Sequence, residues 1–250
     1  MSTPAVTSPE APAPMSPVSR IINVFISPST TFTDLKRNSS WWLAWLFIMV
    51  MSIPFFVAIE QKVGYEQLVR NQISTNRMAK DAMDKLSADQ REQQIKTRAA
   101  FARYISYATP VLALIIYVVV AALLMGTFNF GVGTEVPFSL SLAVVVYSYL
   151  PHALRAILAA IALFAGANPE GFDPNNPIAS NLGFFIDHVA HPAWYTFASW
   201  IDLFGIWIVI LLGIGYSSVS KVKRSTAIGV VAGWYLLMAL IFTGLTAAFS

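Results

Sequence analysis

Five long blocks of apolar residues constrain this chain more than any other feature of its sequence. They lie at about residues 41–60, 104–126, 138–165, 194–217 and 226–248. A bilayer core roughly 30 Å thick needs about 20 apolar residues in a helix, and each block reaches that length. Because a helix satisfies its backbone hydrogen bonds within one segment, the blocks predict five transmembrane helices and an all-α fold.

The composition agrees with a membrane protein and excludes several classes of function. Only 12% of the residues are charged, against about 25% in a soluble domain. The net charge of +3 comes from bases that are not gathered on one face, so no nucleic-acid partner is indicated. There is no cysteine, no phosphate-binding or dinucleotide-binding glycine motif, and no paired catalytic carboxylates. We therefore predict a non-enzymatic protein without a catalytic site, a metal or a cofactor.

The segments before the first span differ in character. Residues 1–19 include five prolines among the first 17 positions, which predicts a disordered tail. Residues 20–40 alternate apolar and polar side chains and become basic toward the end, with Pro28 separating two short pieces. This pattern predicts an amphipathic segment lying in the membrane interface.

Residues 61–103, between the first two spans, predict an extramembrane helical hairpin. Apolar residues recur there at three- and four-residue steps, and Ser87 with Gln90 forms a capping box at which the second helix begins. The hairpin is either a simple connection or a docking surface for another protein. Its charge pattern alone favours the connection, although about 40 residues exceed what a minimal connection needs.

Positive charge predicts the orientation of the spans. Lys and Arg occur before the first span (Arg20, Lys36, Arg37) and between the last two (Lys221, Lys223, Arg224). The loop 166–193 has neither residue type. These facts predict that the N-terminus lies in the cytoplasm and the C-terminus outside. The nine bases of residues 61–103 disagree, but long segments follow the rule less strictly.

Ionisable groups inside predicted spans are functional candidates, and here they are Arg155, Asp202 and His152. Arg155 lies nine residues from Phe164, and Asp202 lies eight residues from Trp194. At 1.5 Å per residue, both lie roughly 12–14 Å below the outer surface, which allows a salt bridge. Alternatively, the fourth span begins near Trp200, which places Asp202 close to the headgroups. Arg155 then extends outward or binds a carbonyl freed by Pro151.

Two weaker patterns complete the list of candidates. His188 and His191 form an H-x-x-H spacing before the fourth span, but the glutamate of a zinc-protease helix is missing. Ordinary interfacial histidines are the favoured interpretation. Small residues in the last two spans, which include a Gly-x-x-x-Gly spacing, predict close packing of these two helices. They are Gly205, Gly213 and Gly215 in the fourth span and Gly229, Gly233 and Gly244 in the fifth.

Three stretches of the sequence together resemble the Yip1 family of five-span membrane proteins, in its bacterial branch. They are "VFISPSTTFTDLKRN" before the first span, "YSYLPHALRAIL" in the third, and "IDLFGIWIVILLGIGYSSVSKVKRSTAIGVV" across the last two. The resemblance implies five helices and a cytosolic N-terminus. Eukaryotic relatives bind Rab GTPases and carry an Asp-Leu-Tyr-Gly-Pro motif, which this chain lacks, so GTPase binding does not carry over. Some bacterial relatives are associated with ABC-type efflux exporters and their periplasmic adaptors.

Two functional hypotheses follow. The first is a partner or assembly protein in the membrane, which uses the hairpin at 61–103 as a docking site, as for an exporter and its adaptor. The second is a small transporter or channel in which Arg155 binds an anionic group near the helix broken at Pro151. An odd number of spans excludes two equal inverted halves, and this favours the partner hypothesis.

Overall fold

The computed structural model describes residues 13–249, and this part of the chain consists of helices and connecting loops. The helices are α1 (Pro17–Ile26), α2 (Pro28–Asp34), α3 (Trp42–Ala58), α4 (Tyr65–Thr75), α5 (Arg77–Asp84), α6 (Ala88–Gly126), α7 (Phe138–Ser148), α8 (Pro151–Phe164), α9 (Pro192–Ser199), α10 (Leu203–Val219) and α11 (Arg224–Phe249). π-Helical turns at Ile59–Val63 and Thr127–Gly131 continue α3 and α6, and a 3-10 turn at Leu182–Phe185 precedes α9.

The predicted all-α, multi-pass membrane architecture is confirmed. Four stretches of helix are long and apolar enough to cross a membrane: Trp42–Val63, Ala88–Gly131, Phe138–Phe164 and Arg224–Phe249. They contain the first, second, third and fifth predicted spans. The fourth is the exception, and a count of five spans stays a prediction.

The fourth predicted span, at 194–217, is not one continuous helix. It divides into α9 and α10, and the chain leaves the helical conformation at Asp202. The Asp202 carboxylate accepts a bond from the Gly205 amide, which is the arrangement of a helix N-cap. Helix α10 has 17 residues, so it is about 25 Å long and lies at the lower limit for a span.

The N-terminal segment packs against the bundle. Pro28 separates α1 from α2, as the sequence predicted, and Val24, Phe32 and Leu35 are fully buried. Phe25 contacts the edge of Trp207 on α10, with ring centroids 5.5 Å apart. The predicted tail at 1–19 lies mostly outside the described residues, and residues 17–19 belong to α1 instead.

The last two helices pack closely at a glycine of α10 rather than at the Gly-x-x-x-Gly spacing of α11. A Cβ atom at Gly213 would collide with the backbone of Ile228 on α11, so α10 and α11 are in close contact there. A Cβ atom at Gly229 or Gly233 would meet nothing within 4 Å. The predicted close packing of the last two helices is therefore confirmed, but it uses Gly213, while Gly229 and Gly233 lie on an open face of α11.

A second hydrophobic cluster builds a structure that we call the platform, formed by α4, α5 and residues 88–103 of α6. The capping box of Ser87 and Gln90 is confirmed, whereas the first predicted helix is interrupted at Asn76, which caps α5. The cluster joins the platform to the ends of α3 and α8 through buried residues. These are Ile59, Val63, Leu68, Val69, Met83, Ile95, Ala99, Ala160 and Leu163.

Candidate functional site

Arg155 lies on α8 at the point where the loop 166–191 folds back against the bundle. Its Nη2 atom donates a hydrogen bond to the carbonyl oxygen of Asn175, at 2.8 Å. Its Nε atom is buried and has no hydrogen-bond partner. In the described part of the chain, Arg155 and Asp202 do not form a direct ion pair. The guanidinium group is therefore anchored to the loop and keeps free donor capacity.

Asp202 occupies the break between α9 and α10, and the same loop closes over it. One carboxylate oxygen caps α10, and the other accepts a bond from the Ser180 hydroxyl. Backbone bonds from Leu182 to Ile201 and from Leu203 to Ser180 continue this contact. The loop thereby satisfies backbone groups that the broken helix leaves unpaired. This geometry corresponds to the alternative in which the fourth span begins near Trp200.

The loop itself carries a polar network that sequence reasoning missed. The Asn176 and Asn181 side-chain amides bond each other, and the Tyr195 hydroxyl donates to Asp173 at 2.6 Å. The abundance of Asn, Pro and Gly in this loop indicates turns, and such residues also form side-chain networks. Because the partners are up to 22 residues apart, no local pattern predicts these bonds.

The three histidines do not converge. His152, on α8, makes an edge-to-face contact with Tyr149 at the end of α7, with ring centroids 5.3 Å apart. His188 lies against Tyr195, and His191 precedes the first residue of α9. Among the described residues, no group of three or more His, Cys, Asp or Glu could hold a metal ion. The H-x-x-H spacing thus belongs to a loop and a helix start.

Asp187, beside His188, has a structural role in that loop. Its carboxylate accepts hydrogen bonds from the backbone amides of Ala190 and Val189, at 3.0 and 2.8 Å. These bonds lower the pKa of the Asp187 carboxyl, because they favour the charged form. The turn before α9 is therefore built around a carboxylate.

A buried ion pair in the N-terminal segment was also missed. Arg20 is 2% exposed, and its Nε atom lies 2.7 Å from Oδ2 of Asp34. Its Nη1 atom donates to the carbonyl oxygen of Asn38 at 2.9 Å. The sequence pattern that could have indicated a buried arginine is the position of Arg20 directly before the buried Ile21 in an amphipathic segment. The sequence gives no indication that α2 folds back to bring Asp34 against it.

The platform combines firm attachment with an exposed, charged surface. The buried Asn71 amide donates to the carbonyl oxygens of Pro169 and Phe172, at 2.9 and 3.2 Å. Arg70 and Arg103 form ion pairs with Glu92 and Glu60, at 2.7 and 2.6 Å. Four further bases have no acidic partner in the described part of the chain: Arg77, Lys80, Lys85 and Arg98.

The long apolar helices define a class: a multi-pass helical membrane protein. The family model described as the Yip1 domain matches residues 22–245, and the chain belongs to the Yip1 family. Comparison with curated proteins and comparison with solved structures each gave no significant match.

Proposed function

We propose that this protein is a non-enzymatic partner or assembly factor of a membrane complex, and that the platform is the surface by which it binds. The observation that carries the proposal is the combination of a fixed position with unpaired charge. Asn71 and the shared hydrophobic cluster attach the platform to the bundle, while Arg77, Lys80 and Lys85 on α5 and at its end have no acidic partner in the described residues.

This arrangement suits recognition better than simple connection. A connection needs neither a hydrophobic core of its own nor bonds to a distant loop. A preformed surface loses less conformational entropy when it binds a partner, and unpaired bases steer an acidic partner toward it. The resemblance to bacterial relatives suggests an ABC-type efflux exporter and its periplasmic adaptor. The protein would then lie in the inner membrane, with its N-terminus in the cytoplasm.

Charge reversal on the platform tests this function. Deleting residues 61–103 would expose the cluster on α3 and α8, so it is a poor experiment. The triple variant Arg77→Glu, Lys80→Glu and Lys85→Glu keeps the fold and removes the basic surface. The control, Lys36→Glu with Lys223→Glu, changes bases near the other end of the bundle. We expect the first variant to stop co-purifying with the exporter and adaptor, and the control to retain both.

The opposite outcome is also informative. If neither the wild-type chain nor the control co-purifies with these subunits, the exporter assignment fails. If the triple variant binds as well as the wild type, the platform is not the binding surface. Thermal stability of the purified variants, measured in the same detergent, distinguishes loss of binding from loss of folding.

A transport role is the second candidate, supported by the incomplete hydrogen bonding of Arg155. Its Nε atom is buried without a partner, and both neighbouring helical segments, α7–α8 and α9–α10, are interrupted nearby. An anion bound there would complete the guanidinium bonds. In this case Arg155→Ala abolishes flux of the anion across vesicles and leaves the protein folded, whereas unchanged flux excludes the role.

The predicted coupling of Arg155 with Asp202 is retained as a proposal in indirect form. Each residue bonds the segment 175–180, so the loop would connect them. We expect that Arg155→Ala and Asp202→Ala each lower thermal stability, and that the double variant loses less than the sum. Strictly additive losses would show that the two residues act independently.

A further inference from the structure

An open groove lies between the three helices of the platform. Its volume is about 620 Å³, and Val69, Ile73, Ala79, Phe101 and Ala102 supply most of its apolar wall. Arg98 supplies the charge, and no acidic residue lines the groove within the described chain. A ligand that fits must therefore combine an apolar part with a negative group.

The groove adjoins a face of α6 that carries exposed apolar residues. Phe101 is 66% exposed, and Ile105, Leu112, Ile116 and Val119 follow it as exposed apolar residues on the same helix. Their spacing of three, four and seven residues places them on one face. An apolar stripe therefore runs from Phe101, at the groove, along the span.

The charges of α6 fix the level of the groove relative to the bilayer. Arg103, paired with Glu60, is the last charged residue of α6 before its apolar segment. Arg98 lies five residues earlier, about 7.5 Å farther along the axis. The headgroup layer is roughly 5–7 Å thick on each side of the hydrocarbon core, so the backbone of Arg98 lies at its outer edge if Arg103 marks the edge of the core, and its long side chain can reach the phosphates.

We propose that the groove binds one anionic phospholipid of the adjacent leaflet. Its phosphate contacts the Arg98 guanidinium, which has no acidic partner among the described residues, and one acyl chain follows the stripe that starts at Phe101. A helix from another protein could fill the groove, but it would not cover the exposed apolar stripe that continues from Phe101 along α6. This inference is independent of the proposed partner function.

Lipid retention by the full chain tests the proposal. The protein is reconstituted in vesicles of equal phosphatidylglycerol and phosphatidylcholine, extracted gently, and its bound lipids are counted by native mass spectrometry. We expect phosphatidylglycerol to be retained in preference to phosphatidylcholine. Arg98→Gln should lower that retention about fivefold, the effect of one basic residue at a membrane surface.

Lys96→Gln is the matched control, because Lys96 lies two residues away on the same helix, outside the groove, and Glu92 is 3.9 Å distant. It should retain the lipid. Equal retention by Arg98→Gln and the wild type, or equal loss in both variants, overturns the proposal.

Two further results would identify a different occupant of the groove. Displacement of the bound lipid by soluble glycerol phosphate would indicate an anion site without a lipid chain. Disulfide-linked pairs of a Phe101→Cys variant would instead indicate a second copy of the chain in the groove.

Discussion

The two segments outside the spans attach to the bundle in opposite ways. In the N-terminal segment, the charged side chains of Arg20 and Asp34 are 2% and 8% exposed and pair with each other inside the core. On the platform, the side chains of the Arg70 and Glu92 pair are 43% and 42% exposed, and apolar packing forms the attachment. Separating a buried ion pair costs much free energy, because it leaves a charge without its partner in the core. Separating an exposed ion pair costs little, because water replaces the contact. The N-terminal segment is thus held against the bundle by its buried ion pair, whereas the charges of the platform lie at its surface.

Breaking the buried pair should give the largest loss of stability. Arg20→Met removes the charged partner of the buried Asp34 carboxylate and leaves only the Met15 backbone amide as a donor to it, which costs about 3–5 kcal/mol in the free energy of unfolding. Denaturation in detergent measures this loss. The double variant Arg20→Met with Asp34→Leu should be more stable than the single variant, because no buried charge remains. A single variant as stable as the wild type would contradict the closed N-terminal segment.

Tight packing beside the same segment gives the next effect. In Gly215→Ala, the new methyl group would lie 2.5 Å from Cγ1 of Val144 and 3.3 Å from the ring of Phe32. Such overpacking costs about 1–3 kcal/mol. Gly229→Ala is the control, since a Cβ atom there meets nothing within 4 Å. Equal stability of the two variants would show that α10 does not pack tightly against α7 and α2 at Gly215.

On the platform, Asn71→Ala should have a moderate effect. The substitution removes the bonds to the carbonyl oxygens of Pro169 and Phe172 and costs about 1–2 kcal/mol. Faster hydrogen exchange around residues 169–172, with unchanged exchange in α10, would locate the effect. Unchanged exchange in the loop would mean that Asn71 does not fasten the platform.

The smallest effect on stability is expected from a substitution at Arg70, the residue before Asn71. Arg70→Ala breaks the ion pair with Glu92, whose two side chains are each nearly half exposed. Water replaces the lost contact, so the unfolding midpoint should not change measurably. A loss as large as that of Asn71→Ala would contradict the view that exposed charges do not hold the platform.

The sequence predicted what depends on local pattern. Apolar blocks gave the membrane helices, Pro28 gave the division between α1 and α2, and Ser87 with Gln90 gave the start of α6. Each of these signals lies within a few residues of its effect. Local periodicity also indicated helices between the first two spans, and their position outside the membrane stays a prediction.

The missed features depend on contacts between distant residues. The sequence around Asp202 is apolar and predicts a continuous helix. Bonds from Ser180 and from the backbone of the loop instead stabilise an interruption between α9 and α10. Arg20 finds Asp34 only because α2 folds back. The rotation of a helix about its own axis determines which of its glycines contact a neighbouring helix. Gly229 has the expected spacing but faces away from α10. Periodicity within one helix does not specify which neighbour each face meets.

The most direct measurement of the account is the side of the membrane on which each segment lies. The chain has no cysteine, so single cysteines can be introduced without a background. A membrane-impermeant maleimide should label Lys85→Cys on the platform in intact cells, and should label Lys223→Cys only after permeabilisation. Labelling of Lys223→Cys alone in intact cells, or equal labelling of both, would contradict a platform that faces outward while the N-terminal segment stays inside.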